Sequence, residues 1–220
     1  MRFEPISRDR LADLLAVRLD DLTPAEGATR TRVAVDGADA ADPGRLAAEL
    51  AERLRARGRP VLTVPTHGFL RPASLRYEYG HHDPDSYRDS WFDEGALWRE
   101  VFGPLESGGS GTVLPDLWDP ATDRATRSAR RALPPGGVLL LAGPMLLGRW
   151  FPFDLTVHLH LTPGALRRRT PADEQWTLPA LARYAEEAEP TAADVVVRLD
   201  DPERPAWAGW PHVRRRLSGA

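Results

Sequence analysis

The chain has 220 residues, which is enough for one domain with a large hydrophobic core. Its formal net charge of -3 gives no electrostatic reason to expect non-specific binding to nucleic acid, and the absence of cysteine excludes disulfides, thiolate metal sites and cysteine nucleophiles. All 29 basic residues are arginines. A phosphate-binding lysine and catalysis through a lysine Schiff base are therefore excluded as well.

The amino-terminal segment is charged and helical in pattern, so we predict no secretion signal. No apolar run approaches the roughly 20 residues that a membrane span needs. Together with the net charge, these features predict a cytoplasmic protein that binds neither a membrane nor nucleic acid.

Hydrophobic periodicity predicts a helix near the amino terminus, followed by alternating strands and helices. Leu11, Leu15 and Leu19 share one face of a helix over residues 5–21, and Ser7 can cap it. Short apolar runs predict strands at about 32–36, 59–64, 137–142, 153–161 and 193–199. Helical patterns occupy 43–57, 93–102, 163–170 and 178–187. Such alternation predicts a parallel sheet covered by helices on both faces.

Between the second and third predicted strands the pattern becomes less regular. Residues 65–85 form a long irregular segment rich in aromatic, histidine and charged residues, and residues 112–119 are predicted to pair with 122–131 in a hairpin. We expect residues 1–29 to form a helix and linker packed on a main domain at 30–207, and residues 208–220 to form a tail.

The loop after the first long strand resembles a phosphate-binding loop that has lost its key residues. A working loop reads G-x-x-x-x-G-K-[ST] between a strand and a helix. Gly37 occupies the first glycine position, but the second glycine, the lysine and the hydroxyl residue are replaced by Asp42, Pro43 and Gly44. Asp42 followed by Pro43 is a favourable start for a helix, so we predict that the Asp42 carboxylate caps it.

Six segments resemble, in order and spacing, the uridine kinase branch of the P-loop nucleoside kinases, especially uridine kinase-like proteins of actinobacteria. They are Val35–Gly37, Phe69–Pro72, Tyr87–Asp93, Leu117–Arg124, Arg167–Arg169 and Ala193–Val197, the last followed by Asp200–Pro202. The resemblance implies an α/β fold with three layers, in which a P-loop kinase-type parallel sheet is flanked by helices. The amino-terminal helix is an addition to that fold.

The sequence departs from this family mainly at the catalytic positions. His67 stands where the family carries its catalytic aspartate, and Ala142 stands where an acidic residue is expected at the end of the central strand. The lysine, the magnesium ligands and the general base that phosphoryl transfer requires are thus all replaced. We therefore expect no ATP-dependent kinase activity and no cofactor.

Two functions remain open on these grounds. The first is a non-catalytic protein that binds a nucleoside, another small molecule or a protein partner. The second is a residual uridine or cytidine kinase that uses ATP and magnesium, with arginines in place of the lysine. The amino-terminal helix, together with Trp207 and Trp210, could also form the interface of a homodimer.

The resemblance implies two sets of site residues. The degenerate phosphate loop contributes Gly37, Asp42, Gly44 and Arg45, and a lid at about 163–190 carries Arg167, Arg168 and Arg169. A nucleoside cleft is expected from aromatic rings that stack on a base and polar groups that hold ribose hydroxyls. Its predicted members are Arg71, Arg76, Tyr77, Tyr79, Tyr87, Arg88, Trp91, Asp93, Trp118 and Asp119.

The histidines leave further alternatives. His67 can be a general base or a polar loop residue without a catalytic role. His158 and His160 share one face of a strand and could hold a metal with His67, which would allow metal-dependent hydrolysis, although a polar face without metal is the simpler interpretation. The pair at His81 and His82 is expected in a surface loop. We therefore predict no metal site.

Overall fold

The computed structural model describes residues 2–25, 27–188 and 193–209. Its strands are β1 (Glu4–Pro5), β2 (Thr31–Asp36), β3 (Val61–Pro65), β4 (Thr112–Val113), β5 (Trp118–Asp119), β6 (Arg124–Ala125), β7 (Arg131–Ala132), β8 (Val138–Gly143), β9 (Leu155–His160), β10 (Val195–Arg198) and β11 (Ala206–Gly209). Its helices are α1 (Arg8–Asp21), α2 (Pro43–Ala56), α3 (Ala73–Arg76), α4 (Pro84–Asp89), α5 (Glu94–Leu97), α6 (Pro163–Arg169) and α7 (Leu178–Glu187).

The main sheet has the strand order β1-β11-β10-β9-β2-β8-β3. The five strands from β3 to β10 are mutually parallel, while β11 runs antiparallel to β10, and β1 runs antiparallel to β11. The predicted parallel sheet is therefore confirmed, with an antiparallel edge that hydrophobic periodicity did not indicate. The two antiparallel strands β1 and β11 are too short and too exposed to show a buried pattern.

Strands β1 and β11 extend across two of the boundaries predicted from the sequence. Pro5 lies in β1, so the prediction of a helix from residue 5 is wrong at its start: α1 begins at Arg8, and the Ser7 hydroxyl accepts a hydrogen bond from the Arg10 amide at 3.2 Å. Strand β11 crosses the predicted end of the main domain at residue 207 because its pairing with β10 continues to Gly209. The predicted interface residue Trp210 lies outside the described residues.

Helices cover both faces of the sheet, as expected for parallel strands. Helices α1 and α2 pack on one face, and their leucines form one core with the inward side chains of β2, β8, β9 and β10. The helical turns from α5 to residue 105 cover the other face, together with the aromatic residues Phe102 and Phe151. Within the described part of the chain, no helix is long and apolar enough to cross a membrane.

Two small ladders confirm the predicted hairpin between β3 and β8. Strand β5 pairs with β6 next to the turn at Pro120, and β4 pairs with β7 further from the turn. The Asp119 carboxylate stabilises the turn by accepting hydrogen bonds from the Ala121 amide at 3.0 Å and the Thr122 hydroxyl at 2.7 Å. This hairpin reaches the carboxyl edge of the sheet, where Pro120 forms part of the cleft described below.

Candidate functional site

The loop between β2 and α2 is closed by its own hydrogen bonds. The Gly37 amide donates to the Gly143 carbonyl at 3.2 Å, and the amides of Ala41 and Asp42 donate to the carbonyls of Ala38 and Asp39 in a tight 3-10 turn. A Cβ atom at Gly37 would lie 2.9 Å from Leu159 Cβ, so the loop also packs closely against β9. These three amides are engaged within the fold rather than directed at a ligand.

Asp42 caps α2, as the sequence predicts. Its Oδ1 accepts a hydrogen bond from the Arg45 amide at 3.1 Å, and Pro43 is the first residue of the helix. The Asp42 backbone is left-handed, with φ 57° and ψ 59°, a conformation that aspartate tolerates better than most residues. A carboxylate therefore occupies the helix amino terminus, the position at which a phosphate would otherwise bind.

We expect Asp42→Ala to lower the free energy of unfolding by about 1–2 kcal/mol, because the cap is lost and alanine disfavours a left-handed backbone. Asp42→Asn should retain both features and stay near the wild type. Urea denaturation of the three proteins measures the difference. An alanine variant as stable as the wild type would show that the capping bond contributes nothing to α2.

Two of the four arginines predicted to replace a phosphate-loop lysine have partners elsewhere in the fold. Arg45 Nε donates to Glu49 Oε1 at 2.9 Å, and this hydrogen bond and charge raise the pKa of Arg45. In the predicted lid, Arg167 and Arg168 are exposed, while Arg169 Nη1 donates to the Leu199 carbonyl at 2.8 Å. None of these arginines lines the cleft described below.

The carboxyl end of β8 has no room for the acidic residue that the resemblance to the nucleoside kinases implies there. Ala142 is only 4 % exposed and packs in the core shared with α2. Gly143 has φ +153°, and a Cβ atom there would overlap the hydroxyl of Thr66. A carboxylate at either position would require rearrangement of neighbouring residues.

A buried carboxylate lies instead at the end of the adjacent strand β2. Asp36 is fully buried and accepts three hydrogen bonds: from the Leu146 amide at 2.9 Å, from the Tyr184 hydroxyl at 2.9 Å, and in a 2.6 Å contact with His158 Nδ1. Burial and the charge of Asp36 raise the pKa of Tyr184 well above its ordinary value, so its hydroxyl remains a donor. The Tyr184 oxygen in turn accepts from the Leu147 amide at 3.1 Å. This Asp36 network joins β2, β9, α7 and the loop after β8.

A cleft of about 240 Å³ opens at the carboxyl ends of β2 and β3. Its walls come from the loop after β2, the turn after β3, α4 with the residues that follow it, the β5–β6 turn, and the segment from the end of α6 into α7. Its aromatic lining consists of Tyr87, Trp91 and Trp176. Ligands of open parallel sheets bind at this edge, and the composition of the lining suits a planar ligand.

The three aromatic residues support one another. Tyr87 meets Trp91 and Trp176 edge to face, with ring centroids 5.6 Å and 5.5 Å apart, and the two tryptophan centroids are 5.2 Å apart. Tyr87 and Trp91 are almost fully buried, whereas Trp176 is partly exposed. Burial, with smaller contributions from Asp39 and Glu174, raises the pKa of Tyr87 well above its ordinary value. Tyr87 is thus a neutral donor at physiological pH.

The polar side of this aromatic cleft contains an imidazole paired with a carboxylate. His67 Nε2 lies 3.2 Å from Asp39 Oδ2, and both side chains line the cleft. Burial lowers the pKa of His67, but the hydrogen bond and charge of Asp39, with the charge of Glu174, outweigh it and raise the pKa above its ordinary value. A larger fraction of His67 is therefore protonated near neutral pH than of an isolated histidine.

The structure brings only part of the predicted nucleoside site together. Of the residues predicted for the cleft, Tyr87 and Trp91 line it. Asp93 caps α5 by accepting from the Ala96 amide at 2.8 Å, and Asp119 holds the β5–β6 turn. Arg88 contacts Glu187 on α7.

The remaining predicted residues do not line the cleft. Arg76 is buried, 5.0 Å from the ring of Tyr77 and 5.1 Å from that of Trp91, and its Nε donates to the Arg71 carbonyl at 2.7 Å. Trp118 Nε1 donates to Asp123 at 2.9 Å. Tyr79 is 72 % exposed. These contacts give the residues structural partners outside the lining.

Three of the aromatic and acidic lining residues escaped the sequence prediction. Trp176 and Glu174 lie in the turn between α6 and α7, and Asp39 lies in the loop between β2 and α2. A tryptophan in the polar run of the predicted lid was the available signal for Trp176. Nothing in the local sequence distinguishes Asp39 or Glu174 from ordinary surface carboxylates.

The strand histidines do not form a visible metal centre. His158 Nδ1 is engaged by Asp36, and the rings of His158 and His160 are 5.9 Å apart. Burial, and to a lesser extent the neighbouring His158, lowers the pKa of His160. Among the residues that the structure describes, no group of three or more histidine or acidic side chains is placed to hold a metal ion.

Comparison of the fold identifies its class. Solved structures similar to this chain include a possible uridine kinase from Bacillus stearothermophilus, with a TM-score of 0.67 and 23% identity over 84% of this chain and 96% of the other. A second is a candidate fructose transport system kinase from Silicibacter sp. TM1040, with a TM-score of 0.55 and 22% identity over 94% of this chain and 100% of the other. The chain has the fold of the P-loop kinases.

Sequence comparison adds no closer relationship. No protein-family profile matches the chain, and no curated protein matches it by sequence. At these identities the two similar structures establish the fold alone. The expected three-layer α/β fold is thus confirmed, while its activity depends on the residues of the site.

Proposed function

We propose that this chain uses a uridine kinase-like scaffold to bind a nucleoside or a similar small planar molecule in the aromatic cleft, without transferring phosphate from ATP. The observation that carries the proposal is the capping bond from the Arg45 amide to the Asp42 carboxylate at 3.1 Å. It places a negative charge where the β- and γ-phosphates of ATP would have to bind.

The electrostatics support this loss of phosphate binding. Two like charges about 4 Å apart repel by roughly 4 kcal/mol at an effective dielectric near 20. Phosphoryl transfer depends mainly on positioning and charge stabilisation, and no lysine in the chain can supply either. Arg45, the nearest arginine on α2, is paired with Glu49.

The cleft supports retention of ligand binding. It keeps aromatic side chains for stacking, and Asp39, His67 and Glu174 offer donors and acceptors for hydroxyl groups. The names of the two similar structures mention uridine, a nucleoside, and fructose, a sugar. Both are uncharged, hydroxyl-rich molecules that a cleft of this size and polarity could hold.

Isothermal titration calorimetry with uridine, cytidine and magnesium-ATP tests the proposal. We expect measurable binding of at least one nucleoside. For magnesium-ATP we expect a dissociation constant no lower than about 1 mM, which corresponds to a binding free energy of about -4 kcal/mol. Trp176→Leu should weaken nucleoside binding about tenfold, since stacking on one aromatic ring is worth about 1–3 kcal/mol.

Trp150→Leu is the matched control, because Trp150 is 59 % exposed and lies outside the cleft. It should leave the affinity unchanged. Micromolar binding of magnesium-ATP would contradict the proposed loss of ATP binding. Transfer of labelled phosphate to uridine or cytidine would establish the residual kinase. Equal losses in the two tryptophan variants would show that the nucleoside binds elsewhere.

A further inference from the structure

The aromatic cleft is negatively charged although the protein contains many arginines. The ionised or ionisable groups in its lining are Asp39 in the loop after β2, His67 in the turn after β3, Glu174 in the turn before α7, and Tyr87 on α4. No arginine is among the lining residues that the structure describes. With Tyr87 neutral, the cleft carries an excess of one negative charge when His67 is protonated and of two when it is not.

The aromatic rings of this region also favour positive charge. The face of a tryptophan or tyrosine ring is electron-rich and attracts cations within about 6 Å. The fold already uses this property at Trp91, where the Arg76 guanidinium lies 5.1 Å from the ring centroid. The partly exposed Trp176 and the carboxylates of Asp39 and Glu174 are available on the cleft side.

We propose that the cleft selects a planar cation, such as an amidinium or a positively charged nitrogen ring, over neutral and anionic molecules of the same shape. The inference rests on the proposed function of the cleft as a ligand site and narrows its ligand class. Aromatic rings contact the faces of the planar cation, and Asp39 and Glu174 accept its hydrogen bonds. A phosphate or carboxylate group would meet two carboxylates and no arginine.

An isosteric series provides a direct test: benzamidine is a cation, benzamide is neutral and benzoate is an anion at pH 7.5. Calorimetry or tryptophan fluorescence at low salt should give a dissociation constant for benzamidine at least about tenfold lower than for benzamide. Benzoate should bind more weakly than benzamide. Benzamidine affinity should fall as salt is added, because the cleft is partly open to solvent.

A double variant tests whether the two carboxylates cause the preference for a cation. Glu174→Gln with Asp39→Asn should reduce the ratio of benzamidine to benzamide affinity at least about fivefold, while benzamide affinity changes less than twofold. Glu52→Gln with Asp21→Asn is the matched control for net charge, because both residues are exposed and lie outside the cleft. It should leave the ratio unchanged.

The protonation of His67 gives a second readout. Between about pH 6 and pH 9, loss of its proton removes the positive charge that offsets Asp39, so benzamidine affinity should rise with pH. Tyr87 remains neutral over this range because burial raises its pKa. In His67→Gln the affinity should be nearly independent of pH, which a purely structural role would not produce.

The outcomes separate this inference from the proposed function. Equal affinities across the series, tighter binding of benzoate, or no binding of any probe at millimolar concentration would overturn the cation preference. Binding of benzamidine without binding of uridine or cytidine would support the cation preference and contradict the proposal that the ligand is a nucleoside. If nucleosides bind but benzamidine, benzamide and benzoate bind with equal affinity, only the cation preference would be contradicted.

Discussion

Asp36→Ala is expected to lower the free energy of unfolding by about 3–5 kcal/mol, because it leaves three buried hydrogen-bonding groups without their acceptor at a cost of about 1–3 kcal/mol each. The carboxylate is fully buried, and its loss leaves the Leu146 amide, the Tyr184 hydroxyl and His158 without their acceptor. Urea denaturation measures the loss. Because Tyr184 anchors α7, which contributes Leu181 to the aromatic cleft, ligand affinity should also fall.

Two comparisons make this prediction specific. Asp36→Asn retains an oxygen acceptor and should lose less stability than Asp36→Ala. A double-mutant cycle between Asp36→Asn and Tyr184→Phe should give a coupling free energy of about 0.5–3 kcal/mol. A loss below about 1 kcal/mol for Asp36→Ala would mean that the network contributes little to holding α7 on the sheet.

Asp154→Ala should cause a loss of similar size at the opposite edge of the sheet, again about 3–5 kcal/mol. Asp154 Oδ2 accepts from the Arg32 amide at 2.7 Å and from Arg32 Nε at 3.3 Å, and its Oδ1 accepts from the Ala25 amide at 3.0 Å. The Arg32 and Asp154 side chains are 5 % and 4 % exposed. Without Asp154, the guanidinium would retain only the half-exposed Glu106, 2.7 Å away.

Asp9→Ala is the control for this pair, because Asp9 also contacts an arginine, Arg53 at 2.7 Å, but is 87 % exposed. Its loss should be below about 1 kcal/mol, as for most surface ion pairs. Asp154 lies at the amino edge of the sheet, away from the aromatic cleft, so Asp154→Ala should leave the nucleoside affinity of the folded protein unchanged. Equal losses for Asp9→Ala and Asp154→Ala would contradict the importance of burial.

The two variants together separate stability from ligand binding. Asp36→Ala should weaken both, whereas Asp154→Ala should weaken only stability. Trp176→Leu should weaken mainly binding, since Trp176 is partly exposed. This pattern would locate the ligand at the carboxyl edge without any need to know its identity.

The sequence was a good guide where local rules are strong. Apolar runs located all five parallel strands because a strand covered on both faces is mostly apolar. Asp42 before Pro43 predicted a capped helix because that geometry involves only four consecutive residues. The antiparallel strands β1 and β11 were missed because they are short and not fully buried.

The site residues were harder to predict because their environment is set by residues distant in the chain. His158 carried no sign that it pairs with Asp36, which lies 122 positions earlier. Arg76 and Asp93 have the composition of ligand-binding residues, yet one is buried against aromatic rings and the other caps a helix. Trp176 joins Tyr87 and Trp91 only because the turn before α7 folds over α4.

The sequence by itself determined the alternation of strands and helices, the absence of lysine and the capped start of α2 at Asp42 and Pro43. These follow from composition and from contacts within a few residues. Only the tertiary structure decided that Asp36 is buried with His158 and Tyr184, and that the aromatic cleft carries carboxylates but no arginine. The charge and shape of a ligand site depend on which distant side chains meet at the edge of the sheet, and that is decided by packing.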